Sequence, residues 1–99
     1  MTQYTIIDGV RRAVLARDAG LTRVRAEVFD GAGRKLEERE IPLDQLFSPK
    51  DILDLKADAR EKVRFLKLQS YFLAGYAVPA IRVITGSQGT RLDQVKVLL

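Results

Sequence analysis

Apolar and polar positions follow two different periods along the first half of the chain. Tyr4–Asp8 is a short, mostly apolar run typical of a strand, and residues 10–19 place apolar side chains on a helical repeat that Gly20 closes. Arg23–Phe29 alternates apolar and polar residues, which predicts a strand with one buried face. Glycines in residues 30–33 predict a turn, so the mostly charged residues 35–41 should return as an exposed or edge strand of a β-hairpin.

The second half begins with a helix-start pattern. Ser48 stands at a cap position, Pro49 at the first helical position and Asp51 in the first turn, which predicts a short helix at residues 49–55. A longer helical pattern covers residues 57–74 and ends at Gly75. Residues 78–85 and 91–98 are rich in apolar residues and flank Gly-Ser-Gln-Gly at 86–89, which predicts a second hairpin.

Together these elements predict an α/β (α+β) domain in which a small mixed sheet packs against two or three helices. The 99 residues suit a single domain, 1–99, and 46% apolar with 30% charged residues is typical of a soluble globular protein. No apolar run is long enough to span a bilayer and no signal peptide is visible, so we expect no membrane partner. A cytoplasmic location is favoured, although a domain cut from a larger exported toxin would have the same features.

The absence of cysteine and histidine narrows the chemistry. It excludes disulfides, thiolate metal sites and Ser-His or Cys-His nucleophiles. The carboxylates of Asp8, Asp44, Asp51 and Asp54 match no known metal loop, and we expect Asp44 and Asp51 to cap helices, so no metal site is predicted. The net charge, 17 − 13 = +4, permits a polyanionic partner without requiring one. Whether the protein is an enzyme stays open.

A strand, a glycine and a helix N-terminus follow one another at Asp8-Gly9-Val10-Arg11-Arg12. The first N–H groups of a helix lack intrahelical partners and carry partial positive charge, so such a turn suits a phosphate, and two arginines add donors. Arg12 falls on a mainly apolar helix face, so it should reach an acid, a carbonyl or a ligand anion. The alternatives are an ordinary connection with both arginines in solvent, and a structural ion pair between Arg12 and Asp8.

The long helix carries a basic stripe. Arg60, Arg64, Lys67 and Tyr71 are spaced i, i+4, i+7 and i+11 between two apolar faces. The stripe is either the solvent face of a core helix or a weak track for nucleic-acid phosphates, with Tyr71 able to stack on a base.

The segment Tyr4 to Phe29 resembles the central part of the ParB/sulfiredoxin superfamily. Its turn, residues 8–12, matches the family's Gly-x-(Arg/His)-Arg-like turn; an Ala-rich helix and a Gly-Leu bend at Gly20-Leu21 follow, as in the family. The family places an Ile-Pro-Leu-Asp strand and a Pro-Ile-x-Val strand before this segment, whereas residues 41–44 and 78–83 come after it. Either the order of the strands along the chain is permuted relative to the family, or the similarity of the two later segments is accidental. The absence of cysteine excludes the sulfiredoxin reductase reaction.

The resemblance implies that the turn binds the phosphates of a nucleotide, with Arg11 and Arg12 as donors and Gly9 allowing close backbone approach. Some relatives hydrolyse or transfer those phosphates, and Asp8 would either hold a divalent ion such as Mg²⁺ beside a nucleotide or pair with an arginine. The alternatives are a toxin-type nuclease domain and a non-catalytic phage or plasmid interaction protein whose edge strand makes the contact.

The resemblance also predicts a strand neighbour. Residues 78–83 should lie beside Tyr4–Asp8, within one chain or across a domain-swapped homodimer. Tyr4–Asp8 would then be a central strand, with the turn at its carboxyl end.

Overall fold

A six-stranded mixed sheet organises the chain into an α+β domain. The computed structural model describes residues 2–49, 55–56, 59–75, 78–95 and 97–98. Within that part of the chain it contains two α-helices, two 3₁₀ turns and a separate two-stranded pair. The strands are β1 (Tyr4–Asp8), β2 (Arg23–Phe29), β3 (Lys35–Pro42), β4 (Leu46–Ser48), β5 (Leu55–Lys56), β6 (Ile81–Thr85), β7 (Thr90–Arg91) and β8 (Val97–Leu98), and the α-helices are α1 (Val10–Asp18) and α2 (Ala59–Ala74).

β1 lies near the middle of the sheet, whose order is β3-β2-β6-β1-β4-β7. It runs antiparallel to β6 and parallel to β4, while β5 and β8 form the separate pair. The prediction that residues 78–83 neighbour β1 is confirmed within one chain, because Ile6 lies opposite Val83 and Asp8 opposite Arg82. The register shifts between Ile6 and Asp8, an irregularity that redirects the strand just before the turn.

The core follows the predicted alternation. Val24, Ala26 and Val28 of β2 are buried, and Ile6 of β1 is fully buried whereas Ile7 is half exposed. Four consecutive residues of α1, from Ala13 to Ala16, are also buried. A helix buried on all these sides must pack on more than one partner, and α1 contacts the sheet, α2 and the second 3₁₀ turn.

The second helix buries only one of the two apolar faces that the sequence places on it. Phe72 packs against the core and Leu68 is half buried, but Val63, Leu66 and Leu73 are exposed. The same periodicity fits a helix that buries one face and leaves the other uncovered. Within the described residues, neither helix is long and apolar enough to cross a membrane.

The predicted second hairpin is wrong. β6 pairs with β1 and β2, whereas β7 pairs with β4. The loop between them is attached to β1, because the Thr5 hydroxyl donates to the Gly86 carbonyl oxygen at 2.8 Å and accepts from the Gln88 N–H at 3.0 Å. These bonds turn the chain away from β6 before a hairpin can close.

The predicted helix at residues 49–55 does not form at either end. Ser48 is buried in β4, where it pairs with Thr90, and Leu55 belongs to β5. Because the backbone of Ser48 takes part in strand pairing, this residue does not serve as a helix cap. Residues 50–54, which include Asp51 and Asp54, lie outside the described residues.

Two Leu-Asp-Gln sequences form matching 3₁₀ turns, Leu43–Gln45 and Leu92–Gln94. The residue before each turn has nearly the same backbone angles, φ −59° and ψ 138° at Pro42 and φ −58° and ψ 139° at Arg91. Both leucines are buried and the two turns pack together. Arg17 of α1 donates to the carbonyl oxygens of Leu92 and Val95, which holds the second turn against α1.

Candidate functional site

The predicted phosphate turn lies at the carboxyl end of the central strand. β1 ends at Asp8, α1 begins at Val10, and Gly9 joins them with φ 97° and ψ 27°. This left-handed conformation favours glycine, and a Cβ added to Gly9 would lie 2.8 Å from Cγ2 of Ile81. The sequence therefore needs glycine here for both backbone conformation and space.

The N-terminus of α1 carries no protein cap among the described residues. Gly9 has no side chain to offer and no acidic residue occupies the first turn. The helical ladder begins with the Ala13 N–H donating to the Gly9 carbonyl oxygen at 3.0 Å. The backbone N–H groups of the first turn precede that bond, and groups in this position are the donors that a helix N-terminus offers to an anion.

Arg12 satisfies the prediction that it must reach an acid or a carbonyl. Its Nη2 lies 3.2 Å from Oδ2 of Asp8, and its Nη1 donates to the carbonyl oxygens of Pro79 at 3.1 Å and Ala80 at 3.0 Å. The guanidinium therefore ties the turn to the segment that leads into β6. This geometry makes Arg12 a positioning residue, and its pairing with Asp8 is the structural alternative that the sequence left open.

Arg11 and Arg64 are the two exposed arginines of the turn cavity. Residues 7–12 and Arg64 of α2 line a shallow cavity of about 630 Å³. Sequence analysis places Arg64 only in the basic stripe, so the structure joins two candidate sites from distant parts of the sequence. The packing of α2 on α1 brings them together.

The remaining stripe residues extend along α2 outside this cavity. Arg60, Lys67 and Tyr71 are exposed, and at 100° per residue they lie on the same side of the helix as Arg64. The stripe and the turn thus form one basic surface with Arg64 at their junction.

Carboxylates do not converge at this surface. In the part of the chain that the structure describes, no three acidic residues are grouped so that they could hold a metal ion. Among the residues that the structure describes, Asp8 is the single carboxylate lining the turn cavity, and it pairs with Arg12. Asp44, predicted as a helix cap, lies exposed within the first 3₁₀ turn, which has no side-chain cap.

Two further cavities were not expected from the sequence. One, of about 490 Å³, runs between the two 3₁₀ turns and is bordered by the charged residues Arg17, Arg23, Asp44 and Asp93. The other, of about 330 Å³, lies between β2 and the C-terminal end of α2, with Arg12, Arg23, Arg25 and Glu40 around an apolar floor. The repeated Leu-Asp-Gln tripeptide was the sequence signal for the first cavity.

Comparison with known proteins adds no assignment to this geometry. No family model matches the chain, and no curated protein or solved structure matches it either.

Proposed function

We propose that this chain is a phosphate-binding domain whose ligand is a nucleotide or another phosphorylated molecule held at the turn cavity. The observation that carries the proposal is the convergence of Arg11, Arg64 and the uncapped N-terminus of α1 on one cavity. Guanidinium groups and helix N–H groups are complementary donors for phosphate oxygens. Arg12 and Asp8 hold the turn in place, and Gly9 lines the cavity.

The ParB/sulfiredoxin resemblance supports the same ligand class. The family uses the equivalent turn for nucleotide phosphates, and the neighbouring position of β6 and β1 agrees with the strand order that the resemblance predicts. Open α/β sheets commonly bind ligands beyond the carboxyl ends of their strands, where this turn lies.

The donor set does not fit a protein-held Mg²⁺ ion. Asp8 is the one carboxylate at the cavity, it lies 3.2 Å from an Arg12 nitrogen, and no further acid joins it among the described residues. Phosphate binding by arginines and N–H groups needs no metal. Binding should therefore persist with a chelator, and Mg²⁺ should not strengthen it, since Mg²⁺ bound to the phosphates in solution reduces the charge that the arginines attract.

Calorimetric titration with pyrophosphate and with ADP tests the proposal. Each of Arg11→Ala and Arg64→Ala removes a charged donor worth about 1.5–3 kcal/mol, so each should weaken binding by roughly 10- to 100-fold. Arg34→Ala in the β2–β3 turn is the matched control, because it removes an equally exposed charge away from the cavity. Unchanged affinity in the Arg11→Ala/Arg64→Ala double variant would contradict the proposal.

A contribution of the basic stripe to binding would distinguish a nucleic-acid polymer from a mononucleotide as the ligand. If Arg60, Arg64 and Lys67 contact successive phosphates of a single-stranded oligonucleotide, the log–log salt slope should be about −2 to −3. A mononucleotide should not show the Arg60 and Lys67 contributions. If an oligonucleotide binds no more tightly than ADP at low ionic strength, the stripe is a solvated face and the site takes small ligands.

The edge-strand alternative receives less support. β3 forms one edge of the sheet and is exposed over most of its length, but its charged side chains form ion pairs, including Lys35 with Glu27 at 3.2 Å and Arg39 with Glu37 at 3.4 Å. Charged edges of this kind discourage strand addition. We therefore do not assign a docking role to β3.

A further inference from the structure

The outer face of α2 exposes large apolar side chains that the fold leaves uncovered. Val63, Leu66 and Leu73 are 64%, 59% and 67% exposed. Their spacing, with Ser70 completing the pattern, is the 3-4-3 repeat of a and d positions in a helix–helix seam. Exposed leucines at this spacing are typical of an interaction site rather than of a plain solvent face.

The seam is separate from the face that α2 uses inside the domain. Leu68 and Phe72, which are half-buried apolar residues, lie about 140–180° around the helix from the centre of the seam. From Val63 to Leu73 the seam is about 15 Å long at 1.5 Å per residue. It offers nearly three turns to a partner helix.

Basic residues flank the seam on one side. At 100° per residue, Arg60 and Lys67 lie next to Val63, between the seam and Arg64. In the sequence of α2, Glu61 is the one acidic residue beside four basic ones, Arg60, Lys62, Arg64 and Lys67. Residues that flank a helix–helix seam select partners by charge. The basic flank of this seam therefore favours a partner helix with glutamate or aspartate beside its own apolar residues.

Two other occupants of the seam, a second copy of the chain and a membrane surface, are disfavoured. An antiparallel second copy would bring Arg60 and Lys67 close to their own equivalents, which is a like-charge arrangement. A membrane-binding face is usually broad and carries Trp or Phe. This seam is narrow, is interrupted by Ser70 and has no aromatic residue at its a and d positions.

We propose that the α2 seam docks an amphipathic helix of a partner protein that carries leucine-type residues at a and d positions and acidic residues beside them. This surface is independent of the turn cavity, since Val63, Leu66 and Leu73 do not line that cavity. The domain would then use one helix for two purposes, with Arg64 facing the phosphate turn and the seam facing the partner.

A designed peptide tests the seam directly. The probe is a fluorescein-labelled, 21-residue helix with leucine at a and d and glutamate at e and g, titrated with the whole chain by fluorescence anisotropy. Leu66→Ser and Leu73→Ser should each weaken binding about tenfold, since each exposed leucine becomes largely buried on docking. Leu36→Ser is the control, because Leu36 on β3 is equally exposed, at 61%, and lies away from α2.

Three results would overturn the inference. One is equal affinity for a peptide with lysine in place of each glutamate, which would remove the charge argument. Another is unchanged peptide affinity in the Leu66→Ser/Leu73→Ser double variant, whose fold is checked by circular dichroism. The third is a seam-dependent dimer in light scattering, or seam-dependent binding to phosphatidylserine vesicles, in either case without peptide binding. Arg11→Ala should leave peptide affinity unchanged, so this test and the phosphate test fail independently.

Discussion

Gly9→Ala tests whether the turn needs glycine for space as well as for backbone conformation, and α1 offers a matched control. Gly9 precedes the helix with φ 97°, and Gly20 follows it with φ 87°. A Cβ added to Gly20 meets no atom within 4 Å, whereas one added to Gly9 lies 2.8 Å from Ile81 Cγ2 and 3.1 Å from the Arg12 guanidinium. The two alanine variants therefore share the conformational cost and differ in packing.

The expected magnitudes follow from these two effects. A non-glycine residue in the left-handed region costs about 1–2 kcal/mol, and the lower entropy of the unfolded chain returns about 0.4–1 kcal/mol, so Gly20→Ala should cost about 1 kcal/mol. Overpacking against the buried Ile81 adds about 1–3 kcal/mol for Gly9→Ala, for a total of about 2–4 kcal/mol. For a chain of 99 residues this corresponds to a Tm lower by roughly 8–30 °C, against roughly 4–8 °C for Gly20→Ala.

Urea unfolding and thermal denaturation measure the difference. The comparison requires equal m-values for both variants, because a changed m-value would mean that the states being compared had changed. Equal loss of stability in Gly9→Ala and Gly20→Ala would refute the packing argument. It would show that Ile81 and Arg12 give way without cost to a side chain at this position.

Three further predictions concern contacts around the sheet. Arg12→Ala should lower the free energy of unfolding in urea by about 2 kcal/mol, since it removes two hydrogen bonds to carbonyl oxygens and an ion pair. Arg12→Lys should not restore the loss, because lysine cannot match the guanidinium geometry. Gly89→Ala should prevent β7 from pairing with β4, because the added Cβ would overlap the Ser48 carbonyl oxygen; loss of amide protection at the end of β4 measures this. The hydrogen bond to Glu27 raises the pKa of Lys35. The contribution of this bond to folding stability is therefore present at neutral pH and is lost as pH rises through that raised pKa. An NMR titration should show the Lys35 pKa falling in Glu27→Gln.

Local patterns predicted the elements better than their pairing. α1, β1, β2 and β3 lie where periodicity and the glycine turns indicated, with bounds shifted by one residue at most. The β6–β7 hairpin failed because two bonds to the Thr5 side chain compete with the turn, and Thr5 is more than 80 residues away in the sequence. No short window of sequence contains that information.

The candidate site was likewise predictable where it depends on local sequence and not where it depends on distant residues. The turn was visible in five consecutive residues, but the separation of roles between Arg11 and Arg12 depends on carbonyl groups at residues 79–80. Arg64 entered the cavity through the packing of α2, which a helical wheel cannot locate. The sequence places apolar residues on two faces of α2, but amphipathic periodicity does not say which apolar face finds a partner within the chain.

The position of β1 has a consequence for how the chain folds during synthesis. Thr5 lies opposite Ile84 and is bonded to the loop at residues 86–88, which follows more than 80 residues later in the sequence, so one edge of β1 stays unpaired until that later segment has been synthesised. Such non-local pairing is slow to form and leaves apolar strands exposed meanwhile. Until then β1, whose Tyr4 and Ile6 are buried in the folded domain, presents an open strand edge, and we expect aggregation of partly synthesised chains to involve this segment.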